Sequence, residues 1–300
     1  MTRRVVITGV SGQAGGALVR HGLPGLEVVG ATRADLDLSS PASLRERLDR
    51  SRPDILVNCA AYTAVDKAES EPDLAALVNA EAPGVLATWC ADHSVPMVHV
   101  STDYVFDGSR RRPWRPDDPT APLGVYGTTK EQGELAVRAA GGDHAIVRTA
   151  WLYDGAGRNF LTTMLRLGTQ SSLGVVDDQT GCPTAADDLA RGLAAVVEQL
   201  AEGNAAVQGT HHFCASGETT WYGFAEAIFE FAAPVWGHRP EVRAITTADY
   251  PTPAKRPAYS VLDCGSFIAA TGVEPRPWRS ALRAVLDGID IAPWGRGDAS

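Results

Sequence analysis

Tyr126 and Lys130 lie four residues apart in Val125-Tyr126-Gly127-Thr128-Thr129-Lys130, which on a helix puts both side chains on one face. A phenol ionises near pH ~10 and trades protons poorly at neutral pH. An ammonium beside it favours the phenolate and lowers that value, making tyrosine a usable general acid toward a carbonyl under reduction. The same spacing also recurs on exposed helix faces, where it does no chemistry. Lysine usage bears on the choice, because of 27 Lys+Arg only Lys67, Lys130 and Lys255 are lysines. Where arginine serves, this chain uses arginine. A retained lysine points to a site that needs a compact ammonium of tunable pKa. Ser101-Thr102-Asp103-Tyr104 lies just upstream and offers hydroxyls and a carboxylate. Neighbours on a strand alternate faces, so spacing alone does not decide whether Ser101 or Thr102 points inward.

A second constellation opens the chain. Arg3–Thr8 reads as a short buried strand, and Ala17-Leu18-Val19 as the start of a helix. Between them Gly9, Gly12 and Gly15 have the G-x-x-G-x-x-G spacing of a turn that lets backbone approach a pyrophosphate at a helix N-terminus. A plain glycine-rich turn is the alternative; the strand before and the helix after favour a nucleotide. After the second strand, where an acidic residue would grip a ribose hydroxyl, the chain has Thr32-Arg33. Arg33 suits a 2′-phosphate, which predicts NADPH as the preferred cofactor with NADH also used.

These residues need a frame. Strand patterns at Leu26–Ala31, Asp54–Asn58, Pro96–Ser101 and Ala145–Thr149 alternate with helical patterns at Ser40–Asp49, Asp73–Asp92 and from Tyr126 to about Ala140. That alternation predicts an α/β fold, a doubly wound parallel sheet that binds ligands beyond the carboxyl ends of its strands. The glycine turn, Asn58-Cys59-Ala60-Ala61 and Ser101-Thr102-Asp103 all fall at such ends. Residues 1–150 are expected to form the dinucleotide-binding domain. Residues 151–300 are expected to form a smaller C-terminal substrate lobe with segments returning to the sheet. In that half, helices are expected near Ala185–Ala201, Thr220–Phe231 and Trp278–Gly288, a strand near Thr210–Cys214, and a frayed last dozen residues. Trp221, Trp236 and Trp278 read as packing residues. Of His211 and His212, one is expected buried and the other exposed, with no metal role.

With 300 residues, 44% hydrophobic and 21% charged, the chain can bury a large core. A formal charge of −9 favours neither nucleic acid nor an anionic membrane as partner. The five cysteines are odd in number and lack C-x-x-C spacing, so neither a disulfide framework nor a zinc site is expected. Cys59 and Cys214 read as small core residues. No apolar signal segment or membrane-spanning run is read, and a cytoplasmic location is expected. On this acidic protein a substrate phosphate would need a local cation. Lys255-Arg256, in the proline-rich loop Asp249–Pro257, are the candidates, against the alternative of a solvated basic pair.

In order along the chain, Thr8–Gly15 (TGVSGQAG), Asp54–Pro72 (DILVNCAAYTAVDKAESEP), His99–Gly108 (HVSTDYVFDG), Tyr126–Glu134 (YGTTKEQGE), Val147–Tyr153 (VRTAWLY), Asp178–Thr184 (DQTGCPT) and Arg256–Asp263 (RPAYSVLD) together resemble the dTDP-4-dehydrorhamnose reductases. These form a branch of the extended short-chain dehydrogenases with a Rossmann-type fold. The resemblance implies that NADPH or NADH reduces the C4 keto group of a dTDP-linked 4-keto-6-deoxysugar. It implies Thr102, Tyr126 and Lys130 as the catalytic set, with Thr102 on the carbonyl oxygen and Lys130 also on the nicotinamide ribose. Gly12, Gln13 and Ala14 would lie against the pyrophosphate, Asp37 and Leu38 beside the adenine, and Ala60, Ala61 and Tyr62 along the cofactor. Asp103 and Trp151 would contact the sugar; read alone, Asp103 could equally cap a loop, Trp151 fill a core and Asp37 sit on the surface.

Related deoxysugar 4-ketoreductases of secondary metabolism, including a dihydrostreptose-type synthase, share the pattern. A non-catalytic regulatory subunit of the same fold and a nucleotide-sugar epimerase with tightly held NAD are the competing readings. Some relatives dimerise through a metal held by a glutamate on the first helix. Ala17 stands there in this chain, so no metal and a monomer or weak homodimer are expected.

Overall fold

The computed structural model describes residues 2–296. Five strands in the first half, β1 (Arg4–Thr8), β2 (Glu27–Ala31), β3 (Ile55–Asn58), β4 (Met97–Thr102) and β5 (His144–Thr149), are joined through helices. The helices are α1 (Gln13–His21), α2 (Pro41–Ser51), α3 (Val65–Ala68), α4 (Pro72–Ala76), α5 (Ala82–Asp92) and α6 (Val125–Ala139). Helical connections carry each strand back to its own start, so all pairs in the sheet are parallel. The order is β2-β1-β3-β4-β5 with a sixth strand, Gly209–His212, beside β5. The sequence direction reverses between β1 and β3. That is the switch point where such sheets leave a crevice beyond their carboxyl ends.

Both faces are covered, as the near-continuous apolar strands require. Val5, Ile7, Val57, Val98 and Val147 pack against α1 and the helix Ala186–Ala201. Val6, Leu56, Met97 and Ile146 pack on the opposite side with residues of α2, α5 and α6. Alternation then puts Thr8, Asn58 and His99 on this second side. Helix α6 is pinned there by Glu134, whose carboxylate accepts from Arg148 of β5 at 2.8 and 2.7 Å, both side chains being buried.

The second half adds a cluster built from the helices Phe160–Leu167, Trp221–Trp236 and Trp278–Asp287 around the paired strands Ser172–Val176 and Glu241–Ile245.

Four expectations change. The single helix expected over Asp73–Asp92 contains a wider π turn at Leu77–Glu81, which carries buried Asn79 inward. The stretch Pro72–Asp92 is 21 residues long with a mean hydropathy of 1.2, enough by length and composition to cross a membrane. Here it is a core helix, with Leu86, Trp89 and Cys90 packed against the sheet side. His211 and His212 are both buried, because the helix Gly265–Thr271 covers the first and Trp114 and Arg148 enclose the second. The last dozen residues are not all frayed. Ala292–Arg296 is helical and the Ile291 carbonyl accepts from Trp236 Nε1 at 2.7 Å; residues 297–300 lie outside the described part.

Candidate active site

Gly9 follows β1 with φ +70, and a Cβ there would stand 2.6 Å from the Ala60 nitrogen. Only glycine allows the turn and the close approach together. A Cβ on Gly15 would stand 2.6 Å from the Gly9 carbonyl oxygen, so that glycine sets helix α1 tightly on the turn. Gly12 is the N-cap of α1 and its side-chain-free backbone faces outward. Gly9, Gly12, Gln13 and Ala14 line one wall of a cleft of about 930 Å³, and Gln13 Oε1 is buried there without a hydrogen-bond partner.

The same wall carries Arg33, Asp37 and Leu38 from the segment after β2 and Ala60, Ala61 and Tyr62 from the segment after β3. Arg33 is 76% exposed and reaches Asp37 at 3.3 Å and the Ser39 hydroxyl at 3.0 Å. Asn79, delivered by the π turn, accepts from the Tyr62 nitrogen at 2.8 Å and returns a bond to the Tyr62 carbonyl. Every expected cofactor-wall residue except Gly15 lines the cleft; Gly15 lies behind the turn that it shapes.

The same cleft holds the expected chemistry. Thr102, Asp103, Tyr126 and Lys130 meet where β4 ends and α6 begins. Thr102 lies close enough to the Tyr126 phenol to lower it, whereas Ser101 acts on Glu134. Burial pushes the Tyr126 phenol up to about 12, with Thr102 pulling it down and Asp103 adding to the rise. Burial brings the Lys130 ammonium down to about 8 against the pull of Glu134 and Cys59. Its Nζ donates to the Val100 carbonyl at 2.8 Å.

Burial dominates the Tyr126 shift, and the shared helix face expected from the spacing brings Tyr126 and Lys130 to the same cleft. Asp103 is buried and not a mere loop cap. The Thr102 hydroxyl donates to its Oδ1 at 3.0 Å, its Oδ2 has no partner, and burial raises it to about 6 against hydrogen bonds from Ser260 and Thr102.

Trp151 lines the cleft and also packs against the core cluster of Val105, Phe106 and Cys182. It sits at φ +47, a conformation that costs a non-glycine residue on the order of 1 kcal/mol or more and collects at functional sites. Trp221 holds it there, stacked at 3.5 Å between ring centroids and 4° between planes. Trp221 was expected only as packing, yet it also lines the cleft. Cys59, expected in the core, lines the cleft as well, half-buried.

Arg256 is not on the wall. Its guanidinium is tied to Asp66 at 2.8 Å, to the Thr252 hydroxyl and to the Ala254 carbonyl at 3.2 Å, so the proline-rich loop uses its cation internally. The cleft instead receives Arg158 and Asn159 from the turn before Phe160–Leu167. Among the described residues exposed Arg158 has no carboxylate within ion-pair distance, while Lys67 on the same cleft pairs with Glu71 at 2.7 Å. Gly-Arg-Asn before an apolar helix was the available signal, since Asn159 accepts from Thr162 in a capping box.

Residues 3–291 match the family model described as the RmlD substrate binding domain. The chain is 40% identical over 285 residues to a dTDP-4-dehydrorhamnose reductase of Sinorhizobium fredii, covering 94% of this chain and 96% of that one. It is 44% identical over 303 residues to a Streptomyces antibioticus protein named a probable dTDP-4,6-dihydroxy-2-methyloxan-3-one 4-ketoreductase, covering 99% and 100%. A crystal structure of dTDP-4-dehydrorhamnose reductase from Bacillus anthracis in complex with NADP superposes with a TM-score of 0.87 at 32% identity, covering 96% of this chain and 100% of that one. Sequence and fold together make this chain a member of the dTDP-4-dehydrorhamnose reductase family.

Proposed function

We propose that the protein reduces the C4 keto group of dTDP-4-dehydro-L-rhamnose to give dTDP-L-rhamnose, with NADPH as reductant. The carrying observation is that Thr102, Tyr126 and Lys130 line the same cleft as the glycine turn. The residues fit a dinucleotide. The Gly9 turn admits only backbone, Gln13 Oε1 is an unpaired acceptor, and Arg33 stands exposed where a 2′-phosphate would fall. When bound, NADPH supplies the hydride.

Tyr126 holds the proton that the new alkoxide takes up, and Thr102 orients the carbonyl oxygen beside it. Lys130 contributes its ammonium to the same end of the cleft and a hydrogen bond to the cofactor ribose. Asp103 Oδ2 and the stacked Trp151–Trp221 pair face the sugar, one as an acceptor and the other as an apolar platform. Arg158 takes the substrate diphosphate in place of Arg256.

NADPH is preferred and NADH is also used. Residues 1–150 serve the cofactor and 151–300 the substrate. The protein works in the cytoplasm as a monomer or weak homodimer, without a metal; its five free cysteines suit a reducing compartment. The Streptomyces antibioticus relative favours a second reading, a 4-ketoreductase for another dTDP-linked deoxysugar. Following NADPH absorbance with dTDP-4-dehydrorhamnose, and with other dTDP-4-keto sugars, tests both. Stoichiometric oxidation supports a reductase, whereas sugar interconversion without net oxidation would indicate an epimerase.

A further inference from the structure

Three polar side chains that this reduction leaves unused stand in one line beneath Lys130. Thr8, Asn58 and His99 are register partners across β1, β3 and β4, and each is 0% exposed. The Thr8 hydroxyl meets Asn58 Oδ1 at 2.6 Å, Asn58 Nδ2 meets His99 Nδ1 at 3.0 Å, and His99 Nε2 meets Lys130 Nζ at 3.4 Å. An apolar sheet face would hold valine or leucine at such positions. A continuous polar chain ending on the lysine of the proposed catalytic set calls for another account.

We propose that His99, fixed by Asn58 and Thr8, is the positioning residue for the Lys130 amine, and that the chain reverses its hydrogen-bond direction when Lys130 gains or loses its proton. The donor and acceptor inventory allows two arrangements. With a neutral amine, Thr8 donates to Asn58 Oδ1, Asn58 Nδ2 donates to His99 Nδ1, and His99 Nε2–H donates to the Nζ lone pair. With an ammonium, Nζ donates to His99 Nε2, the ring carries its proton on Nδ1 and donates to Asn58 Oδ1, and Asn58 Nδ2 donates to Thr8 Oγ1; the Thr8 hydroxyl then gives up its acceptor, a cost that the charge-assisted bond at Nζ offsets.

The two arrangements differ by the one proton that Nζ gains, and His99 is neutral in both; the Asn58 amide turns over, and the ring loses its Nε2 proton to solvent and takes one up at Nδ1 when the chain transiently opens. At the far end Thr8 Oγ1 accepts from the Ala60 nitrogen at 3.2 Å. Lys130 lines the cleft and exchanges its proton there. Ala60 also abuts Gly9, so the chain ties the lysine to the cofactor wall.

The ammonium gains more from this contact than the amine does, because charge-assisted hydrogen bonds are the stronger kind. The charged and titratable neighbours are few. Glu134 of α6 and Cys59 after β3 act on Lys130; Lys130 and Arg138 of α6 and His144 of β5 act on His99. Burial and these cations hold His99 well below its ordinary pKa, which keeps it neutral.

The inference rests on Lys130 belonging to the reductase site, but its test needs neither substrate nor turnover, so the two can fail separately. With only three lysines, ¹³Cε-lysine labelling gives three signals, and loss of one in Lys130→Arg assigns Lys130. In wild type, the Lys130 signal is expected to titrate near pH 8. The ¹⁵N signals of the His99 ring should change tautomer with the same midpoint. His99→Gln keeps a polar atom where Nε2 stands and should leave the Lys130 midpoint near wild type. His99→Asn keeps one only where Nδ1 stands and should lower the midpoint by about one pH unit. A His99 ring that keeps one tautomer throughout, or equal Lys130 midpoints in the two variants, overturns the proposal. If His99→Asn does not fold, the wild-type tautomer measurement decides.

Discussion

Asp103→Asn tests how this site stores strain for its chemistry. Burial raises the carboxyl from 3.8 to about 6 against the hydrogen bonds from Ser260 and Thr102. A raised folded pKa means the folded protein binds the proton more tightly than the unfolded chain. Stability from this group is therefore fully present below pH ~4 and lost as pH rises through about 6. Roughly two units at ~1.4 kcal/mol each make the ionised form cost about 3 kcal/mol at pH 8. Asparagine keeps an acceptor for Thr102 and removes the charge from the unpartnered Oδ2 position. The variant should be more stable than wild type by about 2–3 kcal/mol at pH 8, a Tm gain of roughly 5 °C or more for a chain of this size. The gain should shrink toward zero near pH 4, where both proteins are neutral at this position. Turnover of the 4-keto sugar nucleotide should fall, because the lost carboxylate is the group proposed to face the sugar. Thermal melts from pH 4 to pH 8 with a parallel activity assay read both effects. An equal Tm difference at every pH would refute the ionisation argument, and a less stable variant at pH 8 would reverse its sign.

Tyr126→Phe keeps the ring and removes the proton donor, so cofactor binding should survive while kcat falls ~10²–10⁴-fold; retention of most of the kcat would sink the mechanism. Lys130→Arg places a planar fork where Nζ is confined between the Val100 carbonyl and His99, and both kcat and cofactor affinity should suffer; near-wild-type kinetics would show that any cation serves. Arg158→Ala should raise the sugar-nucleotide KM by about tenfold or more and spare the NADPH KM. Arg256→Ala, which mainly breaks the pair with Asp66, should raise it less; the opposite ranking would return the diphosphate to the proline-rich loop. Arg33→Ala should cut the NADPH-over-NADH ratio of kcat/KM by about tenfold, and an unchanged ratio would remove Arg33 from the 2′-phosphate.

What could be read from the chain follows the range of the forces involved. The glycine turn was legible because one residue type alone satisfies φ +70 at Gly9 and the close backbone approach to Ala60. The parallel sheet was legible because strand and helix periods alternate. The π turn was not, since no local period separates Leu77–Glu81 from the helix around it; its cause is tertiary, the clamp of Asn79 on Tyr62. Arg256 and Arg158 show the same limit. Both are arginines in polar loops, and only the fold gives one of them a carboxylate, Asp66, from 190 residues away. Trp221 read as packing, and it does pack, but on Trp151 at the cleft, so the correct local interaction led to the wrong location.

The Tyr126–Lys130 pair marks the sharpest divide between spacing and environment. Four residues on a helix put both groups in one cleft, and both are there. Spacing also suggested that the lysine lowers the phenol, yet burial is the largest influence and raises Tyr126 to about 12. The same burial lowers Lys130 to about 8. Desolvation thus moves the phenol and the ammonium toward their neutral forms, phenol up and ammonium down, as it must for an acid that is charged when deprotonated and one that is charged when protonated. The site is consequently poised with its proton on Tyr126, the form that a carbonyl reduction consumes. The environment supplies a loaded acid, and a lysine near half-ionisation at pH 8 is a group whose charge a bound anionic cofactor can restore.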